Sequence, residues 1–363
     1  MGKYNMPDVI KIIIAGRNVG GFGGTETVFR SFCRLLAESE KNYQVSFVFF
    51  NEEDNTVNDE WLGENKFIRF NSSIKNRKIK RISLACQFSS LIKKTKPDYI
   101  IAFDSIGCYI SRVALRLSFR KAHLFSWNHF SVADSYKAKY LLMADKHLSI
   151  SSGISQQLSK MGVSSTDIYT IYNPIAIQQK TISCGDKKNF LYLGRVMSGG
   201  QKNMNELFRA LSGVSNNWTL HIVGSGDESE IVILKKLAHE LKISEKIIWH
   251  GWQKNPWDYV ENEIKNVSAL ILTSAYEGFP MVLCEASSYG IYIVSSDCPT
   301  GPGDIIQPYK NGELYSIGDD KKLACILHKI AANETTVNPE TIKKSISAFY
   351  ENEYINRVLA IFK

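Results

Sequence analysis

Apolar residues in this chain fall in short continuous runs separated by longer amphipathic stretches. The runs 9–15, 44–50, 67–71, 99–103, 123–127, 147–151 and 168–172 are rich in Ile, Val, Phe and Tyr, and each predicts a buried strand. Between them, stretches such as 26–39, 79–94 and 152–160 place apolar residues at helical spacing. Strand and helix in alternation predict a doubly wound α/β domain with a parallel sheet. Asn173-Pro174-Ile175 and the polar stretch 178–188 then predict a linker. A second series follows, with strands over 190–193, 218–223, 246–249, 267–273 and 291–295 and helices over 205–211 and 231–241. The pattern divides the chain into domains 1–178 and 179–338. A last stretch, 339–363, carries Phe349, Tyr350, Tyr354, Val358 and Phe362 at helical spacing and predicts one long terminal helix. There is no fixed-period repeat.

The segment Thr273 to Gly290, TSAYEGFPMVLCEASSYG, carries the most chemistry. An apolar run leads into a glycine turn. Pro280 suits the first helical position, and Gly290 suits the helix end. The turn then presents backbone N–H groups of Gly278, Phe279 and Met281 at a helix N-terminus, where an anion is stabilised. Glu277 stands just before that terminus and Glu285 lies inside the helix. Two carboxylates beside an anion site suit a ligand with both hydroxyls and phosphates, such as a sugar nucleotide.

Composition narrows the class. With 363 residues, 44% hydrophobic and 22% charged, the chain has the make-up of a soluble globular protein with two cores. No run of 18 apolar residues exists to span a membrane, and the short N-terminal apolar run reads as a strand and not as a signal peptide. The seven scattered cysteines form no C-x-x-C pair, so neither a disulfide framework nor a zinc site is indicated, and a reducing cytoplasm fits. The net charge of +8 is uneven: residues 1–178 hold 24 Lys and Arg against 15 Asp and Glu, while the remainder is nearly balanced. Lys75, Arg77, Lys78, Lys80, Arg81, Lys93, Lys94 and Lys96 form a run without an acid. That run is either a solvated face or a surface for an anionic partner, a phosphorylated substrate or an inner-membrane lipid surface. No nucleic-acid module accompanies it, so no nucleic-acid partner is expected.

Glu277-Gly278-Phe279-Pro280, with Glu285 eight residues after Glu277, resembles the Glu-x7-Glu signature of retaining glycosyltransferases of the GT-B fold. The resemblance implies two doubly wound parallel-sheet domains facing a cleft, with a C-terminal helix that crosses back to the first domain. It implies an acceptor-binding N-terminal domain and a nucleotide-sugar-binding C-terminal domain. Gly23-Gly24-Thr25-Glu26 resembles the Gly-Gly-x-Glu of the same family; its glycine spacing does not match a dinucleotide fingerprint. Gly194-Arg195 followed by Gly200-Gln201-Lys202 resembles the family's Gly-Arg…Lys element, in which the cations face the donor diphosphate. Breaking the glycosidic bond of a UDP-sugar leaves negative charge on the β-phosphate, and fixed cations stabilise it without a metal.

The likeness further implies that the turns at Gly224 and Trp252 frame the base and that Glu285 binds the ribose; Trp252 and Trp257 fit core or interdomain packing equally well. Glu277 would meet the donor-sugar hydroxyls and His129 would lie against the donor hexose. Asp104, after the strand at 99–103, stands at the same sheet edge as His129 and is a candidate contact for the acceptor. Gly278, Phe279, Pro280, Met281 and Val282 would line the phosphate site. Where similar enzymes carry a hydroxyl residue, this chain has Val282, which leaves the backbone N–H alone. Ser151–Ile154, Tyr172–Pro174, Gly251–Gln253, Ser296–Cys298 and Asn311–Tyr315 resemble the galactosyltransferases of the bacterial lipopolysaccharide core. That implies galactose transfer from UDP-galactose to a core glucose, with UDP as product, no separate cofactor, and a cytoplasmic site of action on the inner face of the inner membrane. A UDP-glucose or UDP-N-acetylhexosamine transferase for capsule or another surface glycan is the alternative enzyme. A non-catalytic sugar-nucleotide or anionic-glycan binder is the alternative of another class.

Overall fold

The structure, a computed structural model, describes residues 9–20, 23–52, 57–133, 135–186 and 188–362. Two compact units emerge: residues up to Pro174 together with those from Tyr354 onward, and Ile175–Glu353.

The first unit is built on seven parallel strands: β1 (Ile10–Arg17), β2 (Tyr43–Phe50), β3 (Lys66–Phe70), β4 (Tyr99–Ala102), β5 (His123–Asn128), β6 (Lys146–Ser149) and β7 (Ile168–Thr170). Their order is β3-β2-β1-β4-β5-β6-β7. β1 is buried on both faces through Ile12–Ala15, which is why it reads as a continuous apolar run. The helices are α1 (Gly24–Ala37), α2 (Arg77–Thr95), α3 (Ser105–Ser118) and α4 (Ser152–Lys160). Asn76, Asp104 and Ser151 cap the last three, each accepting backbone N–H donors at the helix start. Aromatic rings dominate the core, with Phe29 packed against Phe103 and Trp127 at 5.1 and 5.2 Å.

The second unit has six parallel strands: β8 (Asn189–Leu193), β9 (Thr219–Val223), β10 (Ile247–Gly251), β11 (Ala269–Leu272), β12 (Ile293–Ser296) and β13 (Gly312–Tyr315). Their order is β10-β9-β8-β11-β12-β13. The chain runs outward from β8, then returns to place β11 beside it. That reversal is a topological switch point, where open α/β sheets bind ligands at the carboxyl ends of the strands. The helices here are α5 (Met204–Ser212), α6 (Glu228–Glu240), α7 (Pro256–Tyr259), α8 (Met281–Ser288), α9 (Pro302–Ile305), α10 (Asp320–Ala331) and α11 (Pro339–Ser345).

The long terminal helix expected over 339–363 is interrupted. After α11 come a 3₁₀ turn at Ser347–Phe349 and then α12 (Glu351–Ile361). The cause is a backbone pairing: Ile175 N–H donates to Phe349 O at 2.9 Å, and Glu351 N–H donates to Ile175 O at 3.1 Å. Residues 349–351 cannot serve a helix ladder and this bridge together. Beyond the break, the chain packs on the first unit. Tyr354, Val358 and Phe362 are fully buried, and Phe362 lies 4.9 Å from Tyr99 and 5.5 Å from Phe125.

Candidate active site

The loops after β8 and β11 meet at the switch point of the second unit. Lys202, on the loop before α5, pairs with Glu277 at 2.6 Å, Nζ to Oε1. Their side chains are only 18% and 9% exposed. The backbone reinforces the pair. Thr273 Oγ1 donates to Lys202 O at 2.9 Å, Ala275 N–H donates to Gln201 O at 2.8 Å, and Gln201 Nε2 donates to Tyr276 O at 3.3 Å. A cation and a carboxylate from loops 75 residues apart are thus held at one strand end.

Arg195 leaves β8 on the same side. Its side chain is exposed, and its carbonyl accepts the Tyr192 hydroxyl at 2.6 Å. The neighbouring turn is pressed against it: Gly194 N–H donates to Val223 O at 3.0 Å and Val196 N–H to Ser225 O at 2.8 Å. Gly224, at φ +146°, lies so near Gly194 O that any Cβ would overlap it.

The Glu277–Pro280 turn is braced from behind. Thr300 Oγ1 donates to Glu277 O, and Ser296 Oγ donates to Ser274 O at 2.5 Å. Gly301, at φ +94°, backs onto Pro280, Phe279 and Gly278 so closely that a side chain could not fit. Phe279 is buried against Phe349 at 5.3 Å. Pro280 turns out to be the N-cap: its backbone is extended, and α8 begins at Met281, one residue later than the sequence pattern predicts. Met281 and Val282, partly exposed, therefore supply the first helical N–H groups, which have no acceptor within the helix.

Glu285, on α8, accepts Trp257 Nε1–H at 2.8 Å through Oε2. Its pKa is raised by burial, with the indole donor working in the opposite direction. Trp257 also stacks on Tyr289 at 5.1 Å.

Gly23, Gly24 and His129 belong to the first unit. Gly23 is the N-cap of α1 and Gly24 its first residue; Gly21 and Phe22 of the same loop lie outside the described residues. His129 follows β5 and is buried against Trp127 at 4.7 Å and Phe29 at 5.1 Å. Burial pushes its pKa down to about 3, so it is neutral, and its Nε2 has no protein partner among the described residues. Asp104 is committed to structure. It accepts Gly107 N–H and Arg17 N–H, each at 2.7 Å, as the cap of α3, which leaves little of it for an acceptor.

Two family models match the chain: Glycosyl transferases group 1 over residues 175–351 and Glycosyltransferase Family 4 over residues 22–179. The lipopolysaccharide 1,6-galactosyltransferase of Salmonella typhimurium is 38% identical over 95% of this chain and 96% of its own length. The Escherichia coli protein of the same name is also 38% identical, over 96% and 97%. The chain belongs to the lipopolysaccharide 1,6-galactosyltransferase family. A solved lipopolysaccharide outer core galactosyltransferase, WaaB in its apo form, matches with a TM-score of 0.91 at 38% identity, over 97% of this enzyme and 99% of that chain. HepE of Anabaena in complex with UDP matches with a TM-score of 0.81 at 15% identity, over 97% and 99%, a likeness of fold.

The enzyme is therefore a GT-B glycosyltransferase with Glu277, Lys202, Gln201, Gly278, Phe279 and Pro280 gathered at one strand end. Trp252 is 60% exposed on the turn after β10, beside Gly251, whose carbonyl accepts Gly224 N–H at 2.8 Å. The sequence did not single out Thr300 as a brace or Trp257 as the partner of Glu285. Both pairings join distant segments, and no local spacing encodes them. The basic run needs correction. Arg81 is buried in an ion pair with Glu52 at 2.5 Å and so is not offered to a partner, while Lys80, partly exposed, donates through Nζ to Glu52 O at 3.0 Å. Lys78, Lys93 and Lys94 are exposed on α2, as are Ile79 and Ile82. No helix among the described residues is long and apolar enough to cross a membrane.

Proposed function

We propose that the enzyme transfers galactose from UDP-galactose to a glucose of the lipopolysaccharide core, retaining the anomeric configuration and using no metal. The observation that carries this reading is the Lys202–Glu277 pair at the switch point of the second unit, in a chain 38% identical to lipopolysaccharide 1,6-galactosyltransferases. The donor diphosphate would sit at the start of α8, against the N–H groups of Gly278, Met281 and Val282. Arg195 and Lys202 would face the β-phosphate. As the bond from C1 to the phosphate oxygen lengthens, charge builds on that oxygen, and preorganised cations stabilise it more than they stabilise the ground state. Glu277, fixed by Lys202 and by Thr300 behind it, would accept donor-sugar hydroxyls and favour the positive charge developing at C1.

Glu285 would take the ribose hydroxyls, and the turns at Gly224 and Trp252 would frame uracil. His129, neutral, would offer its unpartnered Nε2 to the donor sugar. The first unit, with its excess of cations, would receive the lipid-linked acceptor, and the exposed face of α2 would hold the enzyme peripherally on an anionic membrane surface. The test is UDP release from UDP-galactose, UDP-glucose and UDP-N-acetylglucosamine with truncated lipopolysaccharide as acceptor. The reading expects release from UDP-galactose that needs acceptor and is largely lost in Glu277→Gln. Preference for another donor would move the assignment to a different sugar. Absence of turnover with every donor would leave a binding protein on the same fold.

A further inference from the structure

The segment carrying α7 is fastened at two points. Trp257 donates to Glu285 Oε2 at 2.8 Å and stacks on Tyr289, so one end is fixed to α8. Tyr259 OH bonds His250 Nδ1 at 2.9 Å, and His250 Nε2 bonds His221 Nδ1 at 2.9 Å, so the other end is fixed to β10 and β9. The two histidine rings lie parallel, 5.2 Å apart. Glu285 Oε1 has no hydrogen-bond partner among the described residues.

We propose that Trp257 is a positioning residue of the nucleotide site. Its indole N–H occupies one oxygen of Glu285 and so aims the other at the vicinal hydroxyls of the donor ribose. This rests on the reading that Glu285 binds the ribose. The geometry is specific to an indole. A carboxylate on a helix swings about its side-chain torsions, and a donor fixed by ring stacking removes that freedom before the ligand arrives. Preorganisation of this kind raises affinity by reducing what must be ordered on binding. The Tyr259–His250–His221 chain holds the segment that presents the indole.

The experiment is calorimetric titration of UDP and of 2′,3′-dideoxy-UDP into wild type, Glu285→Gln and Trp257→Phe. The dideoxy nucleotide lacks the groups Glu285 would bind, and the Trp257→Phe variant keeps a ring on Tyr289 without a donor. Wild type should prefer UDP. Both variants should lose roughly tenfold of UDP affinity, the size of one charge-assisted hydrogen bond, with dideoxy-UDP binding unchanged. If Glu285→Gln lowers the preference for UDP and Trp257→Phe does not, the positioning role is overturned while the ribose reading stands. If Glu285→Gln has no effect, the ribose reading falls and the proposal with it. Equal loss of both nucleotides in Trp257→Phe would mean simple packing and would also overturn it. Should Trp257→Phe fail to fold, ¹⁵N-indole NMR of wild type and Glu285→Ala, which removes the acceptor, serves instead. Among the six tryptophans, the Trp257 indole proton should be protected from exchange in wild type and lose that protection in the variant, while the buried Trp218 indole stays protected in both. Six unchanged indole signals would sink the proposal.

Discussion

Lys202→Met and Glu277→Gln, singly and together, separate what the buried pair does for the fold from what it does for the reaction. At 2.6 Å and an effective dielectric constant of about 20, the gross attraction is about 6 kcal/mol. Desolvation of both groups offsets most of that. Removing one partner, however, leaves the other buried and unpaired, which costs about 3–5 kcal/mol; the partial exposure of Lys202 favours the low end. A domain of this size loses about 2–4 °C of melting temperature per kcal/mol, so each single variant should melt about 6–12 °C lower. The double variant leaves no orphaned charge and should recover a large part of that loss. Turnover should behave differently. Each single variant removes a preorganised charge and should lose on the order of 10²-fold or more, and the double variant should regain none of it. Calorimetric melting and UDP release on the same four proteins give both readings. Recovery of turnover together with stability in the double variant would refute the reasoning, since the pair would then be a structural fastening alone.

Three further outcomes follow from the same account. His129 has a folded pKa of about 3 against about 6.5 unfolded, so its stabilising effect is complete above pH 6.5 and is lost progressively toward pH 3. It should account for about 2 kcal/mol of destabilisation at pH 5 by that linkage, and His129→Phe should flatten the dependence of urea midpoints on pH. On the proposed reading, Arg195 and Lys202 would supply the charge that a divalent ion would otherwise bring, so activity should persist in excess EDTA; full loss with rescue by Mg²⁺ or Mn²⁺ would contradict this. The enzyme should sediment with anionic vesicles at low salt, at about 1 kcal/mol per exposed cation. A Lys78→Glu, Lys93→Glu, Lys94→Glu variant should bind less, and equal binding would return the face of α2 to a solvated surface.

The alternation of apolar runs and amphipathic stretches was enough to place most strands and the parallel arrangement, because buried parallel strands are written as unbroken apolar runs such as Ile12–Ile14. The turn from Glu277 to Pro280 and the helix after it were equally readable, since Gly and Pro are local signals. Pairings across the chain were not. The break at 349–351 depends on Ile175, far upstream, and nothing within 339–362 announces it. β13 was missed because Gly312 and Glu313 interrupt a short strand at the sheet edge. Arg81 reads as one more cation in a basic run, and only the fold brings Glu52 to it. The same limit applied at the site: Glu277 and Lys202 were singled out separately, whereas their contact, and that of Trp257 with Glu285, needed the tertiary structure.

The most direct test of the central claim is the product itself. Truncated lipopolysaccharide ending in the core glucose, incubated with enzyme and UDP-galactose, should gain one hexose by mass spectrometry. NMR of the released core should show an α-linked galactose on that glucose. A β-linked galactose would contradict retention, and an acceptor unchanged in mass beside UDP-galactose would contradict the proposed reaction.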